Sequence, residues 1–185
     1  MITIAPLTRL TKAETDRMGF QGYTSDKVYN VDVQTNAAGM SMTFTLAPLE
    51  KPYVKYWKIT DEDLYAYRDT LRAGHSFGAF EEDTLVGFVI CEQRDWNNTM
   101  WVESLLVAES ARGAGIGKLL LAQAISHAAA SDCRHLELET QNTNVPAVTF
   151  YLKNGFALTG VNTTLYDPSQ DNKEIAFYLT HNLKK

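Results

Sequence analysis

Cysteine is scarce in this chain, with two residues, Cys91 and Cys133, among 185. Their separation matches neither a disulfide framework nor a zinc-binding pattern, so both are expected as small core side chains in a reducing, cytoplasmic setting. The four histidines, His75, His127, His135 and His181, also lack ligand spacing, and no metal is expected. Basic residues never gather. Lys and Arg number 17 against 22 Asp and Glu, giving a net charge of −5, and the largest cluster is the pair Lys184-Lys185. Binding nucleic acid needs concentrated positive charge, so that class of partner is excluded. No apolar run approaches the length that crosses a bilayer, and the first residues lack the basic-then-apolar pattern of a secretory signal. Neither membrane association nor export is therefore expected. Internal repeats, low-complexity tracts and linkers are absent as well.

What remains is an ordinary globular composition, 45% hydrophobic and 21% charged, sized for a single domain spanning 1–185. A short strand is expected at Ile2–Ala5. A helix from Thr11 to Met18 is opened by the capping-box pair Thr11 and Glu14. Alternation over Lys27–Gln34 and Met40–Leu46 suggests a hairpin around Asn36–Gly39. Thr60 and Asp63 repeat the capping-box spacing ahead of a helix to about Leu71, where Asp61, Glu62 and Asp63 suit the helix dipole. Strands follow at Ser76–Phe80 and Leu85–Arg94, joined by the solvated tip Glu81-Glu82-Asp83, and then at Trp101–Val107. After a helix ending near Ala130 come a strand at His135–Gln141, a short helix near Pro146, and closing strands at Phe156–Tyr166 and Glu174–Thr180. Helices alternating with strands around one mixed sheet make this an α/β chain. Residues 26–50 fit that pattern least.

The most telling stretch is Arg112-Gly113-Ala114-Gly115-Ile116-Gly117, set between a strand and a helix. Glycines allow a tight bend and close approach of a ligand, and the first N–H groups of a helix have no intrahelical partner. With the helix dipole, this makes a cradle for phosphate or pyrophosphate. The spacing excludes two familiar loops. A P-loop would need its first glycine one residue earlier and a hydroxyl residue where Leu119 stands, and a dinucleotide loop would need glycine at Lys118.

The spacing R/Q-x-x-G-x-G/A resembles the pyrophosphate signature of the GNAT superfamily of acyl-CoA-dependent N-acetyltransferases. Further on, Leu136–Gln141, Asn144 and then Tyr151-Leu152-Lys153-Asn154-Gly155-Phe156 resemble the second half of that family's cofactor site. The order and spacing match from about Val102 to Phe156. The run Leu138-Glu139-Thr140-Gln141 with Asn144-Val145-Pro146-Ala147, the upstream Trp96-Asn97 and the downstream Leu165-Tyr166-Asp167 resemble the streptothricin (nourseothricin) acetyltransferases. The resemblance implies a GNAT fold, a mixed, mostly antiparallel twisted sheet of six to seven strands flanked by helices. It makes 26–50 a candidate subfamily-specific hairpin.

It also implies residue roles. Main-chain N–H groups of Arg112, Gly113, Ala114, Gly115, Gly117 and Lys118 would hold the pyrophosphate of acetyl-CoA, and the backbone of Leu106 and Val107 would pair with pantetheine. The Arg112 and Lys118 side chains either reach the phosphates or are solvated. Asn144 either contacts pantetheine or caps the helix that opens at Pro146. Tyr151 would protonate the thiolate leaving group; its plain alternative is an aromatic packed near Phe150 and Phe156. Glu103 is the candidate base, acting through water or by holding the ammonium; its plain alternative is a satisfied edge or ion-paired carboxylate. It sits in an otherwise apolar strand, where burying a charge is costly. Regular alternation would put Trp101, Glu103, Leu105 and Val107 on one face and Val102, Ser104 and Leu106 on the other. Streptothricin acetyltransferases often carry Asp or His directly after this glutamate, whereas here Ser104 follows. Glu139 either binds a cationic acceptor or pairs with a neighbour. Trp96, Tyr166 and Asp167 match subfamily positions at the acceptor end, and each is equally explained as a core aromatic or a turn residue.

The expected activity is direct acetyl transfer from acetyl-CoA to an amine of a small cationic acceptor, foremost a streptothricin-type antibiotic. Another small amine, a protein amine, or a catalytically silent acyl-CoA-binding domain are the alternatives. A homodimer is left open. The chemistry has one evident obstacle: a lysine-like amine with pKa about 10.4 leaves roughly one molecule in two thousand unprotonated at pH 7.

Overall fold

The computed structural model describes residues 1–167, 169 and 174–183, so the Lys184-Lys185 pair lies outside the described residues. In chain order the elements are β1 (Ile2–Pro6), α1 (Lys12–Arg17), β2 (Tyr23–Asn36), β3 (Gly39–Lys55), α2 (Asp61–Arg72), β4 (Phe77–Glu81), β5 (Thr84–Arg94), β6 (Thr99–Val107), a 3-10 turn (Glu109–Ala111), α3 (Ile116–Ala130), β7 (His135–Gln141), α4 (Val145–Lys153), β8 (Ala157–Asn162) and β9 (Ala176–Asn182). Seven strands form one sheet in the order β1-β4-β5-β6-β7-β9-β8, while β2 and β3 pair only with each other. The sheet is mixed: β1–β4, β4–β5 and β5–β6 are antiparallel, and β6–β7 is parallel. This is the α/β sheet expected of the fold. Among the described residues, no helix is long and apolar enough to cross a membrane.

The chain divides into two compact units: Met1–Gly22 with Tyr56–Leu138 and Thr180–Lys185, and Tyr23–Lys55 with Glu139–Leu179. In the first, both capping boxes are present. Thr11 and Thr60 accept from the backbone of Glu14 and Asp63, whose carboxylates return bonds to the threonine N–H groups. These reciprocal bonds satisfy amides that a helix start leaves orphaned, which is why α1 and α2 begin where the sequence says. Leu7, Leu10, Met18, Ile59, Leu71, Leu85, Phe88, Ile90 and Leu106 make one buried cluster, with Leu64 and Tyr67 of α2 packed against it.

One expectation about β6 is overturned. The register pairs Ile90 with Ser104 and Cys91 with Val102, so Glu103 is an extra residue, a β-bulge. The extra residue resets the alternation. Ser104 and Leu106 share the face of Phe88 and Ile90, while Val102 stands with Val89 and Cys91, and so Val102 and Ser104 do not lie on one face as regular alternation predicts. Glu103 itself is exposed, so the supposed cost of burying its charge does not arise.

In the second unit, the β2–β3 ribbon is longer than the alternation suggested and turns at Ala37-Ala38, next to Gly39 at φ 148°. Its register sets Tyr29, Val31 and Val33 opposite Leu46, Phe44 and Met42, so one face is apolar and the other carries Asn30, Asp32, Gln34, Ser41, Thr43 and Thr45. The Phe177 ring meets Tyr29 at 5.9 Å and Phe44 at 5.5 Å. The strand expected at Phe156–Tyr166 is shorter: β8 ends at Asn162, whose Oδ1 accepts the Thr164 N–H at 2.9 Å and bends the chain. Tyr166 therefore lies beyond the strand. The last strand, β9, begins two residues later than expected.

Phe88 is fully buried among these side chains. Phe88→Ala is expected to cost about 3–5 kcal/mol of stability, a lost transfer term plus a cavity. Urea unfolding monitored by circular dichroism measures it, and a cost near zero would contradict this account of the core.

Candidate active site

The glycine loop has a left-handed backbone at two positions. Gly113 and Gly115 both adopt φ 81°, and a Cβ added at either would meet nothing within 4 Å. The left-handed backbone, not crowding, is what calls for glycine there. Gly115 is also the N-cap of α3. It has no side chain to cap with, and α3 receives no side-chain cap hydrogen bond. Arg112 to Gly115 are exposed. The loop thus lies exposed at the uncapped start of α3, at the positive end of its dipole. Two of the expected contributors are already engaged. The Lys118 N–H donates to the Gly115 carbonyl at 3.0 Å, and the Arg112 N–H reaches the Glu109 carbonyl at 3.4 Å. The Arg112 side chain, neither simply solvated nor open towards a ligand, folds back. Its Nε donates to the Val107 carbonyl at 3.2 Å, its Nη2 donates to the Phe20 carbonyl, and the guanidinium lies 5.6 Å from the Phe20 ring centre. Leu106 is buried and Val107 half-buried at the end of β6.

Glu103 projects from the bulge beside Trp101, whose indole Nε1 donates to Glu103 Oε2 at 3.0 Å. The Arg94 guanidinium stacks 4.1 Å from the Trp101 ring centre. Tyr67 of α2 faces the same stretch. Burial, then the negative charge of Glu103, push its phenol up to about 12 despite a hydrogen bond with Ser104. In this unit, then, the candidate base is flanked by an indole donor and a phenol. Trp96 does not join them in a core, being 84% exposed on the turn between β5 and β6.

In the second unit, Asn144 is the N-cap of α4, accepting the Ala147 N–H at 3.3 Å, with Pro146 in the first turn. The capping alternative for Asn144 is thus realised. Tyr151 is buried on α4, its ring 5.2 Å from Phe150 and 5.5 Å from Phe156. Glu139, Gln141 and Tyr166 come together: the Tyr166 hydroxyl donates to Glu139 Oε1 at 2.5 Å and accepts from Gln141 Nε2 at 2.7 Å. Burial raises the Glu139 carboxyl above its usual range, outweighing the lowering by Tyr166 and by the Lys55 charge. Asp167 stands apart, fully exposed, its carboxyl lowered by the Ser169 N–H it accepts at 2.9 Å.

Sequence reasoning missed Glu174. It is buried, and its Oε1 accepts from the hydroxyls of Tyr53 at 3.1 Å, Tyr23 at 3.2 Å and Thr143 at 3.2 Å. Its Oε2 forms an ion pair with Lys55, whose ammonium also lies 5.3 Å from the Tyr166 ring centre. A lone glutamate opening a predicted strand gave no signal, since Tyr23, Tyr53, Lys55 and Thr143 all lie 31 or more residues away.

Residues 43–156 match the acetyltransferase (GNAT) family. The chain belongs to that family. Its reaction is the transfer of an acetyl group, with acetyl-CoA as donor. Among relatives, the streptothricin acetyltransferase of Streptomyces lavendulae is 30% identical over 159 residues, covering 85% of this chain and 83% of that one. The crystal structure of nourseothricin acetyltransferase superimposes with a TM-score of 0.74 at 27% identity over 99% of each chain. A Bacillus anthracis structure in complex with acetyl coenzyme A gives a TM-score of 0.75 over 98% of this chain and 99% of that one, and at 22% identity it speaks for the fold. This GNAT chain therefore resembles enzymes that acetylate streptothricins.

The raised Glu139 carboxyl generates a test. A group whose folded pKa exceeds its unfolded value binds more protons when folded, so its stabilising contribution is complete below the unfolded value and is lost as pH rises through the folded one. Glu139→Gln, which keeps an oxygen for Tyr166, should therefore gain stability relative to wild type between about pH 4 and pH 7. Parallel denaturation curves across that range check it; a stability difference independent of pH would show that Glu139 titrates normally.

Proposed function

We propose that this enzyme acetylates a lysine-like amino group of a streptothricin-type antibiotic in the cytoplasm. The observation that carries this reading is the half-buried Glu139 carboxylate, held at Oε1 by Tyr166, with Oε2 lacking a hydrogen-bond partner among the described residues. A carboxylate oriented by a phenol, with one oxygen left to accept, is suited to an ammonium group. The similarity to streptothricin acetyltransferases supports the same acceptor. Asp167, exposed and at a matching position, completes the proposed acceptor side; Trp96 is exposed and at a matching position in the other unit.

In this mechanism acetyl-CoA binds with its pyrophosphate on the backbone of Gly113, Ala114, Gly115 and Gly117, the Arg112 and Lys118 amides being already bonded within the loop. Its pantetheine runs along Leu106 and Val107. Glu103 takes a proton from the acceptor ammonium through water. The freed nitrogen lone pair then attacks the thioester carbonyl carbon, forming the C–N bond and a tetrahedral intermediate. Collapse of that intermediate breaks the C–S bond and Tyr151 gives its hydroxyl proton to the departing sulfur; the nitrogen, now carrying the acetyl group, loses its second proton to solvent, and solvent returns a proton to Tyr151. Each proton transfer is worth roughly 10²–10⁴-fold, and holding both reactants together supplies the rest. Retention of both Glu103 and Tyr151 favours this reading over a silent CoA-binding domain.

Purified enzyme should consume acetyl-CoA in the presence of streptothricin and yield a singly acetylated product by mass spectrometry. Tyr151→Phe preserves the ring's packing and removes the donor, so kcat should fall about ten- to a hundredfold with little change in acetyl-CoA binding. Unchanged turnover with chemistry rate-limiting would make Tyr151 a packing residue. Active enzyme that leaves streptothricin unmodified would reject this acceptor while leaving the family assignment intact.

Glu103→Gln should retain cofactor binding and lose acetyl transfer near neutral pH. The defect should shrink as pH approaches the acceptor's own pKa, because free amine is then supplied by solvent. A pH–rate profile parallel to wild type would move Glu103 from proton handling to structure.

A further inference from the structure

Next to the glycine loop, two charged side chains hold the same residue from opposite sides. Glu109 Oε2 accepts the Phe20 N–H at 3.0 Å, and Arg112 donates to the Phe20 carbonyl. The spacing explains how both reach it. Glu109 opens the 3-10 turn and Arg112 closes it, and in a 3-10 helix residues three apart eclipse one another. An acid and a base therefore stand on one side of the turn, the acid for the N–H and the base for the carbonyl. A third bond extends the stitch, from the Glu109 N–H to the carbonyl of Met18 at 2.9 Å, and Met18 is fully buried in the core.

Gly19 makes this contact feasible. It adopts φ 71°, and a Cβ placed there would lie 2.8 Å from Glu109 Oε2 and 3.1 Å from Glu109 Cβ. Any side chain would push the carboxylate off the Phe20 amide. The segment Met18–Phe20 is thus shaped to receive Glu109, although it lies 89 residues away in sequence. Its other attachment is aromatic: the Phe20 ring stacks on Tyr56 at 5.9 Å.

We infer that Glu109 is a positioning residue for the cofactor: acting through the Phe20 peptide, it fixes the entrance of the glycine loop so that the exposed loop backbone is arranged before acetyl-CoA arrives. Three residues separate Glu109 from Gly113, the first loop glycine. Gly113 and Gly115 are the most permissive backbone in the region and would lose the most conformational freedom on binding. Pinning the chain at Glu109 and Arg112 lowers that loss, and such preorganisation appears as affinity for the cofactor and not as a faster chemical step. Arg112 takes part on two sides, because its Nε also holds the carbonyl of Val107 at the end of β6. The strand end, the turn and Phe20 are thereby joined through one guanidinium. The inference rests on the cofactor lying at Arg112–Lys118.

The test uses CoA itself and calorimetry on the intact enzyme, with kinetics alongside. Glu109→Ala removes the acceptor and should weaken CoA binding and raise the acetyl-CoA KM by about tenfold, the usual effect of losing a charge-assisted hydrogen bond. The kcat at saturating acetyl-CoA should stay within about twofold of wild type. Glu109→Gln keeps an oxygen for the Phe20 N–H and should restore most of the affinity. Wild-type CoA affinity in Glu109→Ala, a fall in kcat without a change in KM, or a glutamine variant as weak as alanine would each overturn the proposal. Gly115→Val separates this from the placement of the cofactor. If it binds CoA normally, the placement fails; if it weakens CoA while Glu109→Ala does not, only the positioning role fails. Should Glu109→Ala not fold, amide exchange on wild type decides. The Phe20 N–H should become more protected when CoA saturates the enzyme, and equal protection with and without CoA would overturn the inference.

Discussion

A helix that starts on a left-handed glycine cannot cap itself, and the architecture around α3 follows from that constraint. Gly115 at φ 81° leaves the first turn of α3 without a side-chain acceptor. Elsewhere the chain takes care to satisfy such amides: Thr11, Thr60 and Asn144 each cap their helix. The exception falls at the loop proposed to take the pyrophosphate, an anion whose oxygens would accept from the amides left unbonded there. The neighbouring structure compensates for a backbone that is otherwise hard to hold. β6 delivers the chain to the loop, the 3-10 turn stiffens its entrance, and Arg112 ties that turn to the last carbonyl of the strand.

Two carboxylates in the second unit show how burial and partners divide roles between chemically identical groups. Glu174 is surrounded by three hydroxyls and an ammonium, enough donors to hold a buried charge in place. It fastens Tyr23 and Tyr53, on opposite strands of the ribbon, to the Thr143 turn. Glu139 has far less compensation, a single phenol at Oε1 and the more distant Lys55 charge, and its proton is correspondingly harder to remove. A saturated carboxylate belongs to the framework. An under-satisfied one has capacity left for a ligand.

Features encoded by neighbours in sequence were legible before any coordinates. Both capping boxes, the glycine loop, the span of β7 and the opening of α4 at Asn144 depend on residues within a few positions of one another, and all lie where local chemistry puts them. Of the site, the loop and the Glu139–Tyr166 contact stand on residues singled out from sequence. What escaped depends on distant partners or on counting. The bulge at Glu103 cannot be read from alternation, because an apolar strand with one charged residue looks the same with or without an extra residue. Tyr166 leaves the strand it was expected to join because Asn162 bonds forward to Thr164. The roles of Glu174 and Glu109 require Lys55 and Phe20, which no local pattern associates with them.

The burial of both cysteines has a practical consequence. Cys91 is 0% exposed and Cys133 1%. Burial also pushes the Cys91 thiol up to about 12, so it stays uncharged and unreactive at neutral pH. Acetyl transfer from acetyl-CoA releases a free thiol on CoA with each turnover. Thiol-reactive dyes added to the folded enzyme will therefore report the product with little background from the protein, and the reaction can be followed continuously without mutating either cysteine. The same dyes would begin to label the protein only as it unfolds, so one reagent can read turnover and the integrity of the core.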